Sequence, residues 1–537
     1  MVSPSLLTIP LEVMDSITIY LPHRDLFRLN LSCKVLHYIT QPRLLATAYV
    51  DIPGPWLDLQ GKKRYLRTIK HLERNLLSVR TMVVRGNSSS RFYGSRRTEE
   101  WEEAHLDTFC DTLKILPNLK SFKFCFFENA ITMDWLCEVW ATLSKSKRLT
   151  FMETNFPREI ENTPFGFPKL RSLKLFVGLR SHGSLPLMPE LAQLEVEFHR
   201  DYTLDRISHQ LRGFINFSQM PKLLSLYLGN IWFFSQILDT RPSNTLKELI
   251  FKGCRNISTT SVRKFSSVLR NLVVVACSLE PTRSEMVHLP YLQTLELLDS
   301  QEGGDDCLLK YLNCPQLIDL NLKCRFDQRE IEFATSLFIE RCKQLKALFL
   351  ALHHESSKSY AMSADLFLSL LGLDDLHYLA FLNEHMISWR MLARLMEGRQ
   401  NLVGLSLSIS LNTSDPSSQC VNLQNMKLMY SPYLRNLWLR TSEVGVEGEI
   451  AELLICDWIN ASNSSQIPPA LQQIIVEGQV YSIEQFKAGN TLTLGLNWLV
   501  QLPPSTIFWW MRCIVHEDLT ERLPLGWEIE GRPSWEL

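Results

Sequence analysis

The sequence lacks most of the features that announce chemistry or a membrane. Its longest uninterrupted apolar runs, Leu272–Cys277 and Ala347–Leu352, fall far short of the ~18 residues a spanning helix needs. Neither sign of charge dominates: Lys and Arg number 56 against 57 Asp and Glu, a formal net charge of −1. No chain-wide field therefore exists to hold nucleic acid or an anionic membrane, and neither is an expected partner. None of the 13 cysteines forms a C-x-x-C pair, and the tightest spacing is Cys307 with Cys314. That argues against a disulfide framework or a zinc knuckle and fits a reducing compartment. The motifs G-x-x-x-x-G-K-[ST], G-x-G-x-x-G, H-E-x-x-H and G-x-S-x-G are all missing. His353, His354 and Glu355 read as a loop rather than a metal site, because adjacent histidines on a strand point opposite ways. The expectation is a chain that is not an enzyme and carries no cofactor or metal. The N-terminus reaches Glu12 with no basic stretch and no apolar core of a signal peptide, so a cytoplasmic or nuclear location is expected.

What is present is a repeat. At 537 residues, 45% hydrophobic and 21% charged, the chain has room for two to four domains of roughly 100–200 residues or for one long array. The pattern L-x-x-L-x-L recurs through Leu119, Phe122 and Phe124; Leu170, Leu173 and Leu175; Leu191, Leu194 and Val196; and Leu223, Leu226 and Leu228. It continues at Leu292, Leu317, Leu345, Leu402 and Leu434, and most of these copies open with Pro-x-Leu. Weaker copies start at Val79, Leu149, Leu246, Leu272, Leu376 and Leu471. The mean spacing is about 28 residues, within the ~20–29 of leucine-rich repeats. The chain resembles that family, most closely at Leu246, Leu249, Phe251, Cys254 and Ile257, which look like the cysteine-containing subtype. Each unit predicts a short strand followed by polar or helical sequence, with convex helices over Ser258–Leu269 and Asp365–Leu371. One unit cannot bury its apolar face alone, so stability must come from stacking.

Residues 7–45 do not share the repeat. Pro10 suits a helix start, Val13, Ile17 and Leu21 share one helical face, and Pro22 breaks the run. Leu26, Leu29, Cys33, Leu36 and Ile39 form a second stripe, which Pro42 is expected to end. The reading is three short amphipathic helices, a core too small to stand comfortably alone. Ile9-Pro10-x-Glu12, Ile17, Leu21, Asp25-Leu26, Leu29, Cys33-Lys34, Leu36 and Pro42 resemble the F-box, with Ile9 and Ser32 where leucine and valine are usual. Together with the repeats, the resemblance is to fungal-type F-box proteins with degenerate leucine-rich repeats. It implies a substrate receptor of a cullin–RING ubiquitin ligase that binds a Skp-family adaptor, and through it a cullin. The adaptor-binding residues would be Ile9, Pro10, Leu11, Glu12, Ile17, Leu21, Leu26 and Leu29. The alternative is a non-catalytic scaffold whose F-box-like helices only cap the solenoid.

The expected fold class is α/β: a helical module over 1–50, a linker and first repeat over 51–110, a solenoid over 111–480 and an aromatic-rich cap over 481–537. The solenoid would carry parallel strands on its concave face and helices or loops on its convex face. The basic stretch from Lys62 to Arg97 is followed by Glu99, Glu100, Glu102, Glu103, Asp107 and Asp111, and reads as solvated surface rather than a phosphate site. Trp498, Trp509, Trp510, Trp527 and Trp535 in the tail read as cover for the solenoid's open end. An unidentified protein substrate would be recognised by concave positions between the leucines: Lys174, Glu195, Tyr227, Glu296, Asn321 and Trp438.

Overall fold

A computed structural model describes residues 13–14, 17–18, 21, 23–52, 67–72, 76–86, 107–125, 136–157, 166–178, 183–198, 213–231, 243–255, 257–258, 262–277, 279–280, 286–300, 308–326, 330–354, 362–381, 387–397, 399, 401–409, 434–441, 473–476 and 479–482. The tryptophan-rich tail, most of the basic stretch 62–97, and Ile9 to Glu12 lie outside the described residues. The chain forms two compact units, Met1–Cys314 and Pro315–Leu537.

The first unit opens with helices. Residues 13–14 and 17–18 are helical, followed by α1 (His23–Ser32) and α2 (Lys34–Leu44). Cys33 separates α1 from α2 with extended backbone, φ −162° and ψ 165°. Pro42 does not end α2, as the sequence led us to expect. The helix runs on to Leu44, and the Leu45 N–H donates to the Gln41 carbonyl at 2.9 Å. A proline in the last turn forfeits only one hydrogen bond, so the helix survives it there. Thr40, which is buried, donates from Oγ1 to Asn30 Oδ1 at 3.2 Å and ties α2 to α1.

The strands follow as β1 (Thr47–Ile52), β2 (Thr81–Gly86), β3 (Ser121–Cys125), β4 (Phe151–Asn155), β5 (Ser172–Val177), β6 (Gln193–Phe198), β7 (Ser225–Gly229), β8 (Glu248–Lys252), β9 (Ile257–Ser258), β10 (Asn271–Val275), β11 (Leu279–Glu280), β12 (Val287–His288), β13 (Thr294–Ser300) and β14 (Leu312–Asn313). From β1 through β8, then to β10 and β13, each pairs in parallel with the next. The register puts repeat leucines opposite one another: Leu173, Leu194, Leu226, Leu249, Leu272 and Leu295 stand in one row, all buried. Each rung starts the same way, with two successive N–H groups donating to one carbonyl of the rung before: Arg171 and Ser172 to Thr150, Ala192 and Gln193 to Arg171, Leu224 and Ser225 to Ala192. This repeat satisfies the backbone without help from side chains, so the sequence between rungs is free to vary.

What varies is the convex side. A helix over 107–114 precedes β3, and α3 (Leu136–Ser144) links β3 to β4 and buries Leu136, Val139, Trp140 and Leu143 at helical spacing. Further on, the helix expected over Ser258–Leu269 is present only as a short helical turn and the turns that follow it. β9 pairs with β11 and β12 with β14, and among the described residues of the segment 262–263 are helical. The interval between Leu249 and Leu272 is among the shorter ones, and tight turns fill its second half: the Phe265 and Ser266 N–H groups donate to the Val262 and Arg263 carbonyls at 3.0 and 3.1 Å, and Leu269 donates to Phe265 at 3.0 Å. A single turn, α4 (Leu308–Tyr311), leads into β14 at the end of the unit.

The second unit repeats the design in β15 (Asp319–Phe326), β16 (Ala347–His354), β17 (Tyr378–Phe381), β18 (Gly404–Ile409), β19 (Asn436–Thr441) and β20 (Gln473–Val476), each parallel to the next, with β21 (Gln479–Ser482) antiparallel to β20. Here α5 (Glu330–Arg341), α6 (Ala364–Leu371) and α7 (Trp389–Glu397) alternate with the strands. The helix expected over Asp365–Leu371 is α6. Both units are leucine-rich-repeat stacks of α/β class. Among the described residues, no helix is long and apolar enough to cross a membrane.

Candidate protein-binding surfaces

Two surfaces stand out. The first is on the N-terminal helices. Leu26 is only 7% exposed, with Met14 and Leu36 likewise buried, so these face the module's own core. Leu21 and Leu29 are half-buried, Ile17 is exposed, and Ile9, Pro10, Leu11 and Glu12 lie outside the described residues. The helices also leave apolar side chains in water that the sequence pattern did not single out. Phe27 and Leu31 (52% and 69% exposed) are one turn apart on α1, and Val35 and Tyr38 (49% and 73%) on α2. Val13 and Ile17, which the sequence pattern did place on one helical face, make a third exposed pair. Helical phase could have found the α1 and α2 pairs: Phe27, Leu31, Val35 and Tyr38 fall between the stripe residues Leu26, Leu29, Leu36 and Ile39.

The second surface is the strand row between the leucines. In the first unit it runs Lys123, Glu153, Lys174, Glu195, Tyr227, Ile250, Val273, Glu296 across consecutive strands. The structure thus brings Lys174, Glu195 and Tyr227 side by side and sets Glu296 further along the same row. Lys174 Nζ pairs with Glu195 Oε1 at 2.8 Å, with side chains 14% and 22% exposed. Lys174 also lies over the Phe176 ring at 5.5 Å, and Lys123 over Phe151 at 5.1 Å. Burial pushes the Glu195 carboxyl above the usual range. Lys174 pulls it part way back, and Glu197 and Glu153 push it up further. Tyr227 is buried, and its phenol is held protonated by that burial and by Glu197 and Glu195. Gly229 makes room for it: a Cβ there would stand 3.2 Å from the Tyr227 hydroxyl.

Accessibility along the row is uneven. Tyr227 and Glu296 are buried, leaving Lys174 and Glu195 with partial access to solvent. In the second unit Asn321 opens the equivalent row, continued by Phe349, Ala380, Ser406 and Trp438. Asn321, Phe349, Ala380 and Ser406 are all buried, and the Trp438 side chain lies outside the described residues. The acidic neighbours Glu153 and Glu197 were missed, although the leucine frame that located Glu195 also locates them.

No family profile and no curated protein matches the chain. Among solved structures, a chain of the TLR13–ssRNA13 complex aligns at 13% identity and a TM-score of 0.30, over 62% of this chain and 41% of that one. The present chain therefore spans about two fifths of the length of that relative. A Bacteroides fragilis protein aligns at 12% identity and 0.26, covering 42% and 67% of the two chains. A chain of the yeast Rad7–Elc1 complex aligns at 15% identity and 0.26, covering 65% and 92%. Likeness at this level says nothing of what this chain binds.

Proposed function

We propose that this protein is a substrate-recognition subunit of a Skp–cullin–F-box type ubiquitin ligase. Its N-terminal helices would dock a Skp-family adaptor, and its repeats would hold a protein client. The observation that carries the reading is the set of exposed apolar pairs, Val13 and Ile17, Phe27 and Leu31, Val35 and Tyr38, on the very helices whose sequence resembles the F-box. Exposed apolar side chains gathered on so small a module favour a partner that covers them. The chain would do no covalent chemistry. It would act by proximity, raising the local concentration of its client near a conjugating enzyme.

A second reading has its own observation. α2 runs directly into β1, and the Ala46 carbonyl receives the Arg80 and Thr81 N–H groups at 2.8 Å each. The helices are thus built into the first rung and would cap it whether or not they recruit. The test is a pull-down of purified Skp-family adaptor with the full chain and with the Phe27→Ala, Leu31→Ala double variant. Both side chains are solvent-facing, so circular dichroism should be unchanged. Burying an apolar side chain of this size contributes about 1.5–3 kcal/mol, so affinity should drop about tenfold or more. Failure of the folded wild type to bind would leave the capping role alone.

A further inference from the structure

The N-terminal edge of the strands from β3 to β7 is a basic surface broken at β6 by Glu190. Its geometry follows from the rung-to-rung hydrogen bonds. Thr150 and Phe151 donate to the Lys120 carbonyl at 2.8 and 3.1 Å, Arg171 and Ser172 to Thr150 at 2.8 and 3.0 Å, and Ala192 and Gln193 to Arg171 at 2.8 and 3.0 Å. Lys120, Thr150, Arg171 and Ala192 are therefore consecutive steps of one column. The turns that lead into these strands add Lys147 and Arg148 before β4, Lys169 before β5 and Lys222 before β7. All six cations are exposed.

Lys120, Lys147, Lys169 and Arg171 have no ion-pair partner among the described residues, and Arg148 donates to Asn118 Oδ1. The anion these turns contribute is Glu190, before β6. Lys222 Nζ reaches its two oxygens at 2.8 and 2.9 Å. Lys222 foremost, helped by Lys169 and Arg171, holds the Glu190 carboxyl below its ordinary range. The edge has thus already seated one carboxylate of its own, with cations to spare on either side.

We infer that this edge binds an extended, oxyanion-rich segment of a partner protein. With rungs about 4.8 Å apart, β3 to β7 spans about 19 Å, the reach of roughly six residues of extended chain. Long lysine and arginine arms then meet side-chain oxyanions along it. A nucleic-acid strand fits less well. Single strands are held largely by stacking on aromatic rings, and among the described residues no exposed aromatic side chain lies along this edge from β3 to β7. The inference rests on the reading of the repeats as the client-binding part and supplies the client's chemistry. Its failure would leave adaptor binding through Phe27 and Leu31 untouched.

The oxyanions can be carboxylates or phosphates, and the experiment separates them. Fluorescence anisotropy on the full chain would use a twelve-residue Asp/Glu-rich peptide, a phosphoserine peptide of the same length, a neutral peptide, and a single-stranded RNA of matched charge. The Lys169→Glu, Arg171→Glu variant is compared with the charge-matched Lys343→Glu, Arg394→Glu variant on the second unit, and circular dichroism checks both. We expect one or both acidic peptides to bind, to weaken as salt rises, and to lose at least about tenfold in affinity with the first variant only. The tighter of the two identifies the oxyanion. Absence of peptide binding, equal loss with the control variant, or RNA binding as tight as the better peptide would overturn the inference.

Discussion

At single positions, the backbone where each rung leaves its strand is demanding. Asn230, Gly253 and Ala276 occupy equivalent places with φ of 57°, 62° and 49°. Their N–H groups donate to Lys252, Val275 and Leu298 carbonyls at 2.8, 2.8 and 2.7 Å, so the left-handed turn is what joins one rung's exit to the next. Asparagine and glycine tolerate this conformation, and alanine adopts it at a steric cost. Ala276→Gly relieves about 1–2 kcal/mol of steric cost and gives back about 0.4–1 through the freer unfolded chain. A net gain of about 1 kcal/mol in urea denaturation is the expected result. Gly253→Ala should lose at least as much, since its new Cβ would stand 2.7 Å from Asn230 Oδ1. A second prediction concerns Glu195. Its folded pKa is raised, foremost by burial, so the folded state takes up a proton at a pH where the unfolded chain is still ionised. This group's contribution to stability is therefore full below the unfolded value and is lost as pH rises through the folded one. Compared with the non-titrating Glu195→Gln, the wild type should gain relative stability as pH falls from 7 towards the ordinary glutamate range. A flat difference between the two would show that Glu195 does not feel its burial.

Among the elements, legibility tracked how repetitive the sequence is. The strands were visible because Leu170, Leu173 and Leu175 and their equivalents keep one spacing, and that frame also named Lys174, Glu195 and Tyr227 as neighbours. Burial of Tyr227 and Asn321 was not visible, since it depends on the side chains around them and not on spacing. The convex links repeat nothing, so α6 was legible only through its own periodicity, while of the helix expected over Ser258–Leu269 the described residues form one short helical turn at 262–263 and further hydrogen-bonded turns up to Leu269. Trp140 shows the same limit: its ring packs edge-on against Phe156 and Phe167, with centroids 5.7 and 5.5 Å away, through residues that belong to no repeat position. α6 itself depends on its first turn. Ser363 accepts the Leu366 N–H at 3.3 Å as N-cap, and its own N–H donates to the buried Glu332 of α5 at 2.5 Å. Ser363→Ala removes the cap but keeps the bond to Glu332. It should cost about 1 kcal/mol, read as a lower urea midpoint with an unchanged slope. A loss within error would mean that packing of Leu366 and Leu370 alone sets the helix start.

For the whole molecule, the repeat design makes a prediction about how damage spreads. A stack in which each rung contacts only its neighbours is nearly one-dimensional, so its stability is a sum of local terms and its ends fray first. The N-terminal helices lead into one such end. The Ala46 carbonyl holds the Arg80 and Thr81 N–H groups, and Leu26, Leu36 and Thr40 are buried on the module that leads into β1. Deleting residues 1–46 removes that carbonyl and that cover while leaving β1 in place. Amide exchange in β2, at Met82 and Val84, should then speed up about tenfold or more, the equivalent of ~1.4 kcal/mol. Exchange in β6 and β7, four or more rungs away, should not change. Equal loss of protection in β2 and β7 would mean that the first unit unfolds as one cooperative block. No change in either would mean that the helices cover nothing, which would leave their exposed Phe27, Leu31, Val35 and Tyr38 with recruitment as their one remaining use.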